Sequence, residues 1–320
     1  MAEQMKLVDV VIEIVDARLP QSSRNPLIHD LLGDKPCVLV MAKADLAEEA
    51  YTAAWVSNFR KQGLVAVACD FIGGNLKNEI AAVTEGIRLQ ARGTLEKRRN
   101  RGIKNMVIRA MITGIPNVGK STMINLFAGR AITETADRPG VTRGKQWIRL
   151  ARDLEMLDMP GILWPNLENR EGARKLAVTG AIGDNAYDQE DLALWLIHWL
   201  RLQKPGRLLA RYGSSEADED YQRGNNASNI ASEMGSAMTR LSCDDNIDLL
   251  DEKAQATDGN GIDYATYTNQ MILEAIGKRR GLLRKGGFVE TEKAAVILLD
   301  ELRGGRLGPI TFDDPADSFS

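Results

Sequence analysis

Short apolar segments rich in β-branched residues alternate with longer amphipathic segments in the first half of the chain. Buried strands are predicted at residues 8–17, 37–43, 64–68 and 106–113, with two shorter ones in KQWIRL and LEMLD. Helices are predicted at residues 47–62, 75–95 and 120–128. Because strand and helix alternate, we expect an α/β domain with a mostly parallel sheet and helices on both faces.

The pattern after Pro165 favours helices instead of strands. These helices are predicted at residues 170–179, 188–203, 267–277 and 292–303. Residues 213–261 differ, because they contain eleven acidic and three basic residues and are rich in Ser, Asn and Gly. We interpret them as a flexible acidic insertion. The predicted organisation is an α/β domain at residues 1–168 and a small helical domain at 169–320 that carries the insertion.

Composition and charge exclude several classes of protein and of functional site. The 320 residues are 44% hydrophobic and 27% charged, which is typical of globular proteins. The total charge is −3 and the insertion contributes −8, so the rest of the chain carries +5. Three scattered cysteines and two histidines exclude a disulfide framework and a histidine-rich metal site. The longest apolar run has about nine residues where a membrane span needs about 20, so we expect a soluble cytoplasmic protein without membrane contact.

A glycine-rich loop follows the strand at 106–113. Its sequence, GIPNVGKS at residues 114–121, matches the GxxxxGK[ST] phosphate loop. Glycines let backbone N–H groups surround a phosphate, and the N-terminus of the next helix adds positive potential. We expect Lys120 to reach the β- and γ-phosphates and Ser121 to hold Mg²⁺. The candidate nucleotide-binding residues of the loop are Asn117, Val118, Gly119, Lys120, Ser121 and Thr122.

Two elements downstream of the phosphate loop are candidates for sensing the γ-phosphate. DMPG at residues 158–161 matches DxxG, in which Asp158 would hold Mg²⁺ through water and the Gly161 N–H would meet the γ-phosphate. Thr142 is a candidate switch threonine that caps Mg²⁺ when a γ-phosphate is present. The alternatives are an ordinary turn at a strand end for DMPG and a plain surface residue for Thr142.

A candidate base-recognition element lies upstream of the phosphate loop. AKAD at residues 42–45 ends a predicted strand and matches NKxD except that Ala42 replaces the asparagine. Asp45 can accept hydrogen bonds from N1–H and the exocyclic amine of guanine, a pair of donors that adenine lacks. The aliphatic stem of Lys43 can lie over the purine ring. The alternative for Asp45 is an ordinary helix N-cap.

The order of these elements resembles that of a circularly permuted GTPase. Permutation is physically tolerable because the termini of a compact domain lie close together. In detail the chain resembles the ribosome biogenesis GTPase A (YlqF-type) family. The matching motifs are VDARLPQSSRNPLI (15–28), KAD (43–45), GIPNVGKST (114–122), DRPGVT (137–142), DMPGILWP (158–165) and LAVTGAI (176–182).

The resemblance implies a monomeric GTPase that binds the precursor of the large ribosomal subunit and its rRNA, and that hydrolyses GTP to GDP and phosphate to leave it. It implies a C-terminal helical domain that contacts rRNA. Catalytic roles fall on Lys120, Thr142, Asp158 and Gly161, and Mg²⁺ would be held by Ser121, Thr142 and Asp158.

The resemblance also implies slow intrinsic hydrolysis. Ile162 occupies the place of the catalytic glutamine, and an aliphatic side chain cannot orient water, so the ribosomal particle should supply the missing group. Asn117 is similar to the asparagine of potassium-activated GTPases, which implies a K⁺ site. The alternative for Asn117 is that it only shapes the loop.

Three departures from the family pattern affect these expectations. Ala42 lacks a hydrogen bond worth about 1–3 kcal/mol, so guanine affinity should be weak. The family's N-terminal segment with its histidine is not matched, which predicts impaired hydrolysis or a chain that continues upstream. Residues 68–70 match the second base-contact element poorly, and we expect only a backbone N–H there to meet guanine O6.

Two clusters of basic residues are candidate contacts to rRNA phosphates. The first comprises Arg92, Lys97, Arg98, Arg99, Arg101 and Lys104, and the second Lys278, Arg279, Arg280, Arg284 and Lys285. For each cluster the alternative is a solvated face. Two other functions stay open: a nucleotide-poor RNA-binding assembly scaffold with impaired hydrolysis, and a generic phosphate-loop ATPase or small-molecule kinase.

Overall fold

The computed structural model describes residues 5–33, 35–73, 75–104, 106–129, 147–151, 153–157, 170–212 and 267–316. Its strands are β1 (Val10–Asp16), β2 (Cys37–Ala42), β3 (Val65–Ala68), β4 (Ile108–Thr113), β5 (Trp147–Ala151) and β6 (Leu154–Leu157). They form one sheet in the order β3-β2-β1-β4-β6-β5. All neighbours pair in parallel except β5 and β6, which are antiparallel. The predicted mostly parallel sheet is therefore confirmed.

The α-helices in the described residues include all those predicted for these parts of the chain. They are α1 (Pro26–Leu32), α2 (Glu49–Lys61), α3 (Leu76–Asn100), α4 (Lys120–Ala128), α5 (Arg170–Val178), α6 (Gln189–Gln203), α7 (Arg207–Tyr212), α8 (Asn269–Arg279) and α9 (Thr291–Arg303). The sequence pattern does not predict α1 and α7. These helices have seven and six residues, and two turns or fewer are too short to establish a helical period.

Helices cover both faces of the sheet. Alternate residues of each strand point to opposite faces, so one strand can pack against helices on both sides. Leu39 and Met41 of β2 pack in one core cluster with Trp55 of α2. Val38 of β2 points the other way, towards Gly86 of α3. A Cβ at Gly86 would lie 3.1 Å from the side chain of Val65, so the glycine lets α3 approach the sheet closely.

The carboxyl ends of β1, β2 and β4 lie side by side. β1 is central and all seven of its residues are buried, as expected for a parallel strand covered on both faces. In this register Asp16 pairs with Ala42, and Glu13 pairs with Thr113. Open parallel sheets bind ligands at this edge, so the loops that follow β1, β2 and β4 are the place to look for a site.

The chain forms two compact units whose boundaries differ from the predicted ones. The first comprises Met1–Gly183 and Pro309–Ser320, and the second, the helical unit, comprises Asp184–Gly308. Helix α5 and the C-terminal residues therefore belong with the sheet, whereas the sequence places the boundary at residue 168. The reason is hydrogen bonding between segments far apart in the chain: Nη2 of Arg18 donates to the Thr179 carbonyl (3.3 Å), and the Phe312 N–H donates to the Arg18 carbonyl (2.8 Å). The predicted acidic insertion at 213–261 lies outside the described residues.

Candidate nucleotide-binding site

The loop between β4 and α4 has the backbone conformation of a phosphate cradle. Gly114 and Gly119 have φ of 148° and 103°, in the region that favours glycine. A Cβ at Gly114 would lie 2.4 Å from the Ile14 carbonyl oxygen, so only glycine fits there. Asn117 also has a positive φ, of 58°, at the tip of the loop. Such a loop before a helix N-terminus can present backbone N–H groups to an anion.

Lys120, Ser121 and Thr122 begin α4 directly after this loop. The Lys120 side chain is only 9% exposed and its Nζ donates to the Ile115 carbonyl (2.6 Å), so the ammonium group lies back over the loop. Ser121 and Thr122 are exposed, whereas Val118 is buried under the loop. The predicted phosphate-loop residues are thus brought together, with a cation and two hydroxyls at one helix terminus.

The KAD turn after β2 lies against the phosphate loop. Lys43 has a left-handed backbone with φ of 59° and precedes a single turn of 3-10 helix, Ala44–Leu46. Nζ of Lys43 donates to the Asn117 carbonyl (2.7 Å) and forms an ion pair with Asp16 (3.1 Å). One lysine therefore joins the candidate base-recognition turn to the phosphate loop and to the end of β1.

A buried ion pair behind Lys43 holds it in place. The Asp16 carboxylate accepts two hydrogen bonds from Arg18, at 2.9 and 2.7 Å, and both side chains are 1% exposed. Burial alone would raise the pKa of Asp16, but the charges of Arg18 and Lys43 outweigh it and hold that pKa well below its usual range. Asp16 is therefore a permanent anion. No pattern in the sequence points to this role for Asp16 and Arg18, although both lie in the motif VDARLPQSSRNPLI.

Asp45 lies in the 3-10 turn with its side chain exposed. The alternative that Asp45 caps the next helix is wrong, because α2 begins at Glu49 with Glu48 at the N-cap position. Partial desolvation and the nearby Asp70 carboxylate raise the pKa of Asp45 above its usual range. A carboxylate that is destabilised in this way gains from donors such as the N1–H and amine of guanine.

GDP binding should therefore weaken on acidification at a higher pH than an unperturbed aspartate would require. The ionised carboxylate accepts both guanine donors above its pKa, and protonation removes one acceptor below it. We would measure the ratio of GDP to ADP affinity between about pH 7 and 4.5, because both ligands carry the same titrating diphosphate. The ratio should fall with pH, and a constant ratio would contradict a carboxylate contact to the base.

The end of β3 offers less to a base than expected. The Cys69 N–H donates to the Met41 carbonyl (2.8 Å), and the N–H groups of Asp70 and Phe71 both donate to the Glu79 carboxylate (3.1 Å each). These three N–H groups are engaged within the chain. The expectation that a backbone N–H near residues 68–70 meets guanine O6 therefore conflicts with the hydrogen bonds present here.

Two other predicted residues, Ala42 beside the phosphate loop and Asn117 within it, contact neighbouring parts of the chain. Ala42 is fully buried, and its Cβ lies 3.5 Å from where a Cβ on Gly119 would stand. Position 42, where the NKxD motif has its asparagine, therefore lies beside Gly119 of the phosphate loop. Nδ2 of Asn117 donates to the Gly180 carbonyl (2.9 Å), so in this structure Asn117 ties the loop to the segment after α5. This contact fits the loop-shaping alternative, and the K⁺ site stays a prediction.

Thr142, Asp158, Gly161 and Ile162 lie outside the described residues. Their predicted roles towards Mg²⁺, the γ-phosphate and water therefore stay predictions. Among the residues that are described, no His, Cys, Asp or Glu cluster suits a metal ion, and no helix is long and apolar enough to cross a bilayer.

The fold and the site together define a class. A parallel sheet carries a glycine-rich phosphate loop at the end of β4, and a KAD turn at the end of β2 lies against it. The turn precedes the loop in the chain, which is the order of a circularly permuted P-loop GTPase.

Comparisons with known proteins narrow the class to a family. The model of a family described as 50S ribosome-binding GTPase matches residues 109–226. Ribosome biogenesis GTPase A of Bacillus cereus is 37% identical over 315 residues, covering 98% of this chain and 89% of the relative. Bovine mitochondrial ribosome-associated GTPase 1 is 33% identical over 231 residues, covering 69% and 67%. The chain belongs to the ribosome biogenesis GTPase A family.

Solved structures agree on the fold. Crystalline GNP-bound YlqF from T. maritima superposes with a TM-score of 0.58 at 21% identity, covering 98% of this chain and 95% of that one. A GDP-bound structure of TM YlqF gives the same TM-score at 22% identity. Both resemble the present fold over 98% of this chain.

Proposed function

We propose that this chain is a cytoplasmic GTPase of large-subunit assembly: its GTP-bound state binds a precursor of the large ribosomal subunit, and slow hydrolysis to GDP and phosphate releases it. The observation that carries the proposal is the contact of Lys43 with the Asn117 carbonyl at 2.7 Å. It brings a turn suited to guanine and a loop suited to phosphates within reach of one ligand. The ribosomal partner is supported by the names of the relatives.

Magnesium fits the residues at the start of α4. The loop presents a cradle that a Cβ would fill, and the exposed Ser121 hydroxyl lies one residue beyond the Lys120 ammonium. Ser121, Thr142 and Asp158 would hold the ion, which neutralises charge on the phosphates when bound. Lys120 would stabilise the negative charge that develops on the γ-phosphate. Asn117 would hold K⁺ if the ion is used.

Nucleotide binding would reach the helical unit through the chain itself. Gly161 and Thr142 would contact the γ-phosphate, and the chain passes from Gly161 through α5 of the first unit to the start of the helical unit at Asp184. We expect GTP to favour the particle-binding state and GDP the released state. Sedimentation with large-subunit precursors in GDP and in a non-hydrolysable GTP analogue checks this, and equal affinity in both would contradict it.

A competition titration tests the nucleotide itself. Fluorescent GDP bound in KCl should be displaced by GTP and GDP and not by ATP. Displacement by ATP would favour the kinase or ATPase alternative. Absence of binding would favour the scaffold alternative, which Ala42 motivates. Replacing KCl by NaCl tests for the K⁺ site. If the rate of GTP hydrolysis in the presence of precursor particles is the same in both salts, the K⁺ site is contradicted.

The helical unit offers one basic turn as the candidate RNA contact. A β-bridge pairs Leu283 with Val289, and the Arg284 N–H donates to the Phe288 carbonyl (2.8 Å). Phe288, at the end of this turn, is 74% exposed. Lys278 and Lys285 are exposed beside it and form no ion pair with a residue that the structure describes. An exposed aromatic ring among cations suits an unpaired RNA base and its phosphates.

Part of the predicted basic surface is instead structural. Arg280 pairs with the buried Glu301, and Arg284 pairs with Glu290 at 3.3 Å. In the first cluster, Arg98 pairs with Asp9 at 2.5 Å and donates to the Val107 carbonyl. The two arginine pairs of the second cluster leave the lysines of the turn as its better candidates for phosphate.

Salt dependence separates phosphate contacts from base contacts on this turn. For a short single-stranded RNA, the Lys278→Ala/Lys285→Ala double variant should lower the slope of log K against log salt by about 1.4. Phe288→Ala should weaken binding about 5- to 10-fold without changing that slope. Leu283→Ala removes another exposed apolar side chain and serves as the control. If Phe288→Leu binds as wild type, the ring makes a general apolar contact and does not stack on a base.

A further inference from the structure

The C-terminal residues return to the first unit and run along the candidate guanine-recognition turn. The Ile310 N–H donates to the carbonyl of Leu46, which is the last residue of the 3-10 turn that contains Asp45 (2.9 Å). Two residues on, the Phe312 N–H donates to the Arg18 carbonyl (2.8 Å). We call Pro309–Asp313 the return segment.

Thr311 makes a reciprocal pair of hydrogen bonds at the end of the same turn. The Glu48 N–H donates to Thr311 Oγ1 (3.0 Å), and the Thr311 N–H donates to the Glu48 carboxylate (3.2 Å). Glu48 is the N-cap residue of α2 and its side chain forms no cap hydrogen bond of its own. The return segment therefore supplies both the acceptor and the donor that this junction uses.

Asp313 anchors the other end of the return segment. Its carboxylate accepts hydrogen bonds from the N–H groups of Gln21 and Ser22 and from the Ser22 hydroxyl, at 3.0, 2.7 and 2.7 Å. Its carbonyl accepts from Nε1 of Trp55 in α2 (3.0 Å). Ile310, Thr311, Phe312 and Asp313 are all at most 5% exposed. Such density of contact is typical of a fixed structural element and not of a chain terminus.

The turn that the return segment contacts has few supports besides it. Within the turn, the Leu46 and Ala47 N–H groups donate to the carbonyls three residues before them, at 3.1 and 3.2 Å, and the Ala44 N–H donates to the Cys69 carbonyl. Lys43 is held from one side by Asp16 and Asn117. The return segment holds the other side, between Leu46 and Glu48. Asp45 is between these two anchors.

We propose that the return segment positions the guanine-recognition turn, so that affinity for the base depends on residues that follow the helical unit in the chain. The proposal rests on the assignment of Lys43 and Asp45 to the guanine. Thr311 and Ile310 are positioning residues, since they reach the nucleotide only through the turn. A segment that fixes the turn before binding removes an ordering cost that GDP would otherwise meet.

Thr311→Val tests this with almost no change in shape. The valine keeps both branches of the side chain and removes the oxygen that the Glu48 N–H uses, so the dissociation constant for GDP should rise about 5-fold or more. Binding of inorganic pyrophosphate, measured by competition, should be unchanged because it occupies the phosphate loop alone. Thr311→Ser keeps the oxygen and should bind GDP as wild type does.

The outcomes are distinguishable. If wild type binds GDP no better than pyrophosphate, the base assignment itself fails, and the proposed function with it. If wild type prefers GDP and Thr311→Val binds GDP equally well, only the positioning role is overturned. An equal loss of GDP and pyrophosphate would mean general damage and also overturn it. Loss confined to GDP, restored by serine, is the result we expect.

Discussion

Replacing Asp45 by asparagine should lower affinity for GDP by about 100-fold and create affinity for XDP. The two guanine donors meet two acceptor oxygens in the carboxylate, whereas an amide offers one acceptor and turns a donor towards the second. Xanthine carries an oxygen in place of the exocyclic amine, so its N1–H and O2 match the amide. Loss of one charge-assisted bond and repulsion at the other account for the magnitude.

Competition of fluorescent GDP and XDP against the Asp45→Asn variant measures this switch. Asp70→Asn is the matched control, because Asp70 lies at the neighbouring strand end and accepts from the Ile72 and Gly73 N–H groups (3.1 and 3.0 Å). That variant should keep its preference for GDP. A variant at position 45 that still prefers GDP to XDP would show that the carboxylate does not read the base.

The prediction depends on a turn that is fixed before the ligand arrives. Asp45 itself is exposed, but Lys43 is held by the buried Asp16 and by the phosphate loop. The Asp16–Arg18 pair is buried, so removing Asp16 would leave the Arg18 guanidinium buried without a carboxylate and would release Lys43. On the Lys43 side, the recognition turn is therefore held by buried charges that the ligand does not touch.

Much of the sheet and of the nucleotide-binding site is predictable from sequence, because each part depends on a pattern within one short segment. The strand pattern of residues 8–17 and 37–43 predicts β1 and β2, and the GxxxxGK[ST] spacing predicts the loop before α4. The position of KAD before that loop predicts the permuted order. Each of these signals lies within one short stretch of chain.

The domain boundary is not predictable in the same way. The return segment has no helical or strand period, and its role depends on contacts such as Thr311 to Glu48, 263 residues apart. The contact of Thr179 with Arg18 is likewise remote in sequence, at 161 residues. Hydrogen bonds between irregular segments carry no periodic signal, so only the folded chain reveals that α5 and the C-terminus belong with the sheet.

Counting charged residues along the chain does not predict the basic surface correctly, because it too misses contacts between distant segments. The sequence gives Arg98 and Arg280 the same weight as Lys285, although the structure pairs both arginines with buried carboxylates. A run of cationic residues predicts a basic surface only when the residues that pair with buried carboxylates are left out of the count. For the second cluster that core partner is Glu301.

Replacing Glu301 by alanine should destabilise the helical unit by about 2–3 kcal/mol, the range for hydrogen bonds to a charged group whose partners water can still reach. The Glu301 carboxylate is 2% exposed in α9 and accepts two hydrogen bonds from Arg211 (2.9 Å each) and one from the Tyr212 hydroxyl (2.7 Å). Arg280 of α8 pairs with it as well. Alanine would leave the buried Tyr212 hydroxyl without its acceptor and two partly exposed arginines without their anion, and these lost hydrogen bonds set the size of the effect.

Acid should remove the same stabilisation. Hydrogen bonds from Arg211, which outweigh burial, lower the pKa of Glu301 from 4.5 to about 2. A group whose pKa falls on folding stabilises the protein above its unfolded pKa. The contribution of Glu301 is therefore complete above about pH 4.5 and is lost as the pH falls towards 2.

Thermal unfolding followed by far-ultraviolet circular dichroism measures the change for Glu301→Ala. Asp300→Ala, one residue away in the same helix, is the control, because Asp300 is exposed and its only ion pair with a described residue is a contact of 3.9 Å to Arg303. That variant should unfold within about 0.5 kcal/mol of wild type. Equal stability of the two variants would mean that the arginines find water or another anion when Glu301 is absent, and that the carboxylate is not what joins α7, α8 and α9.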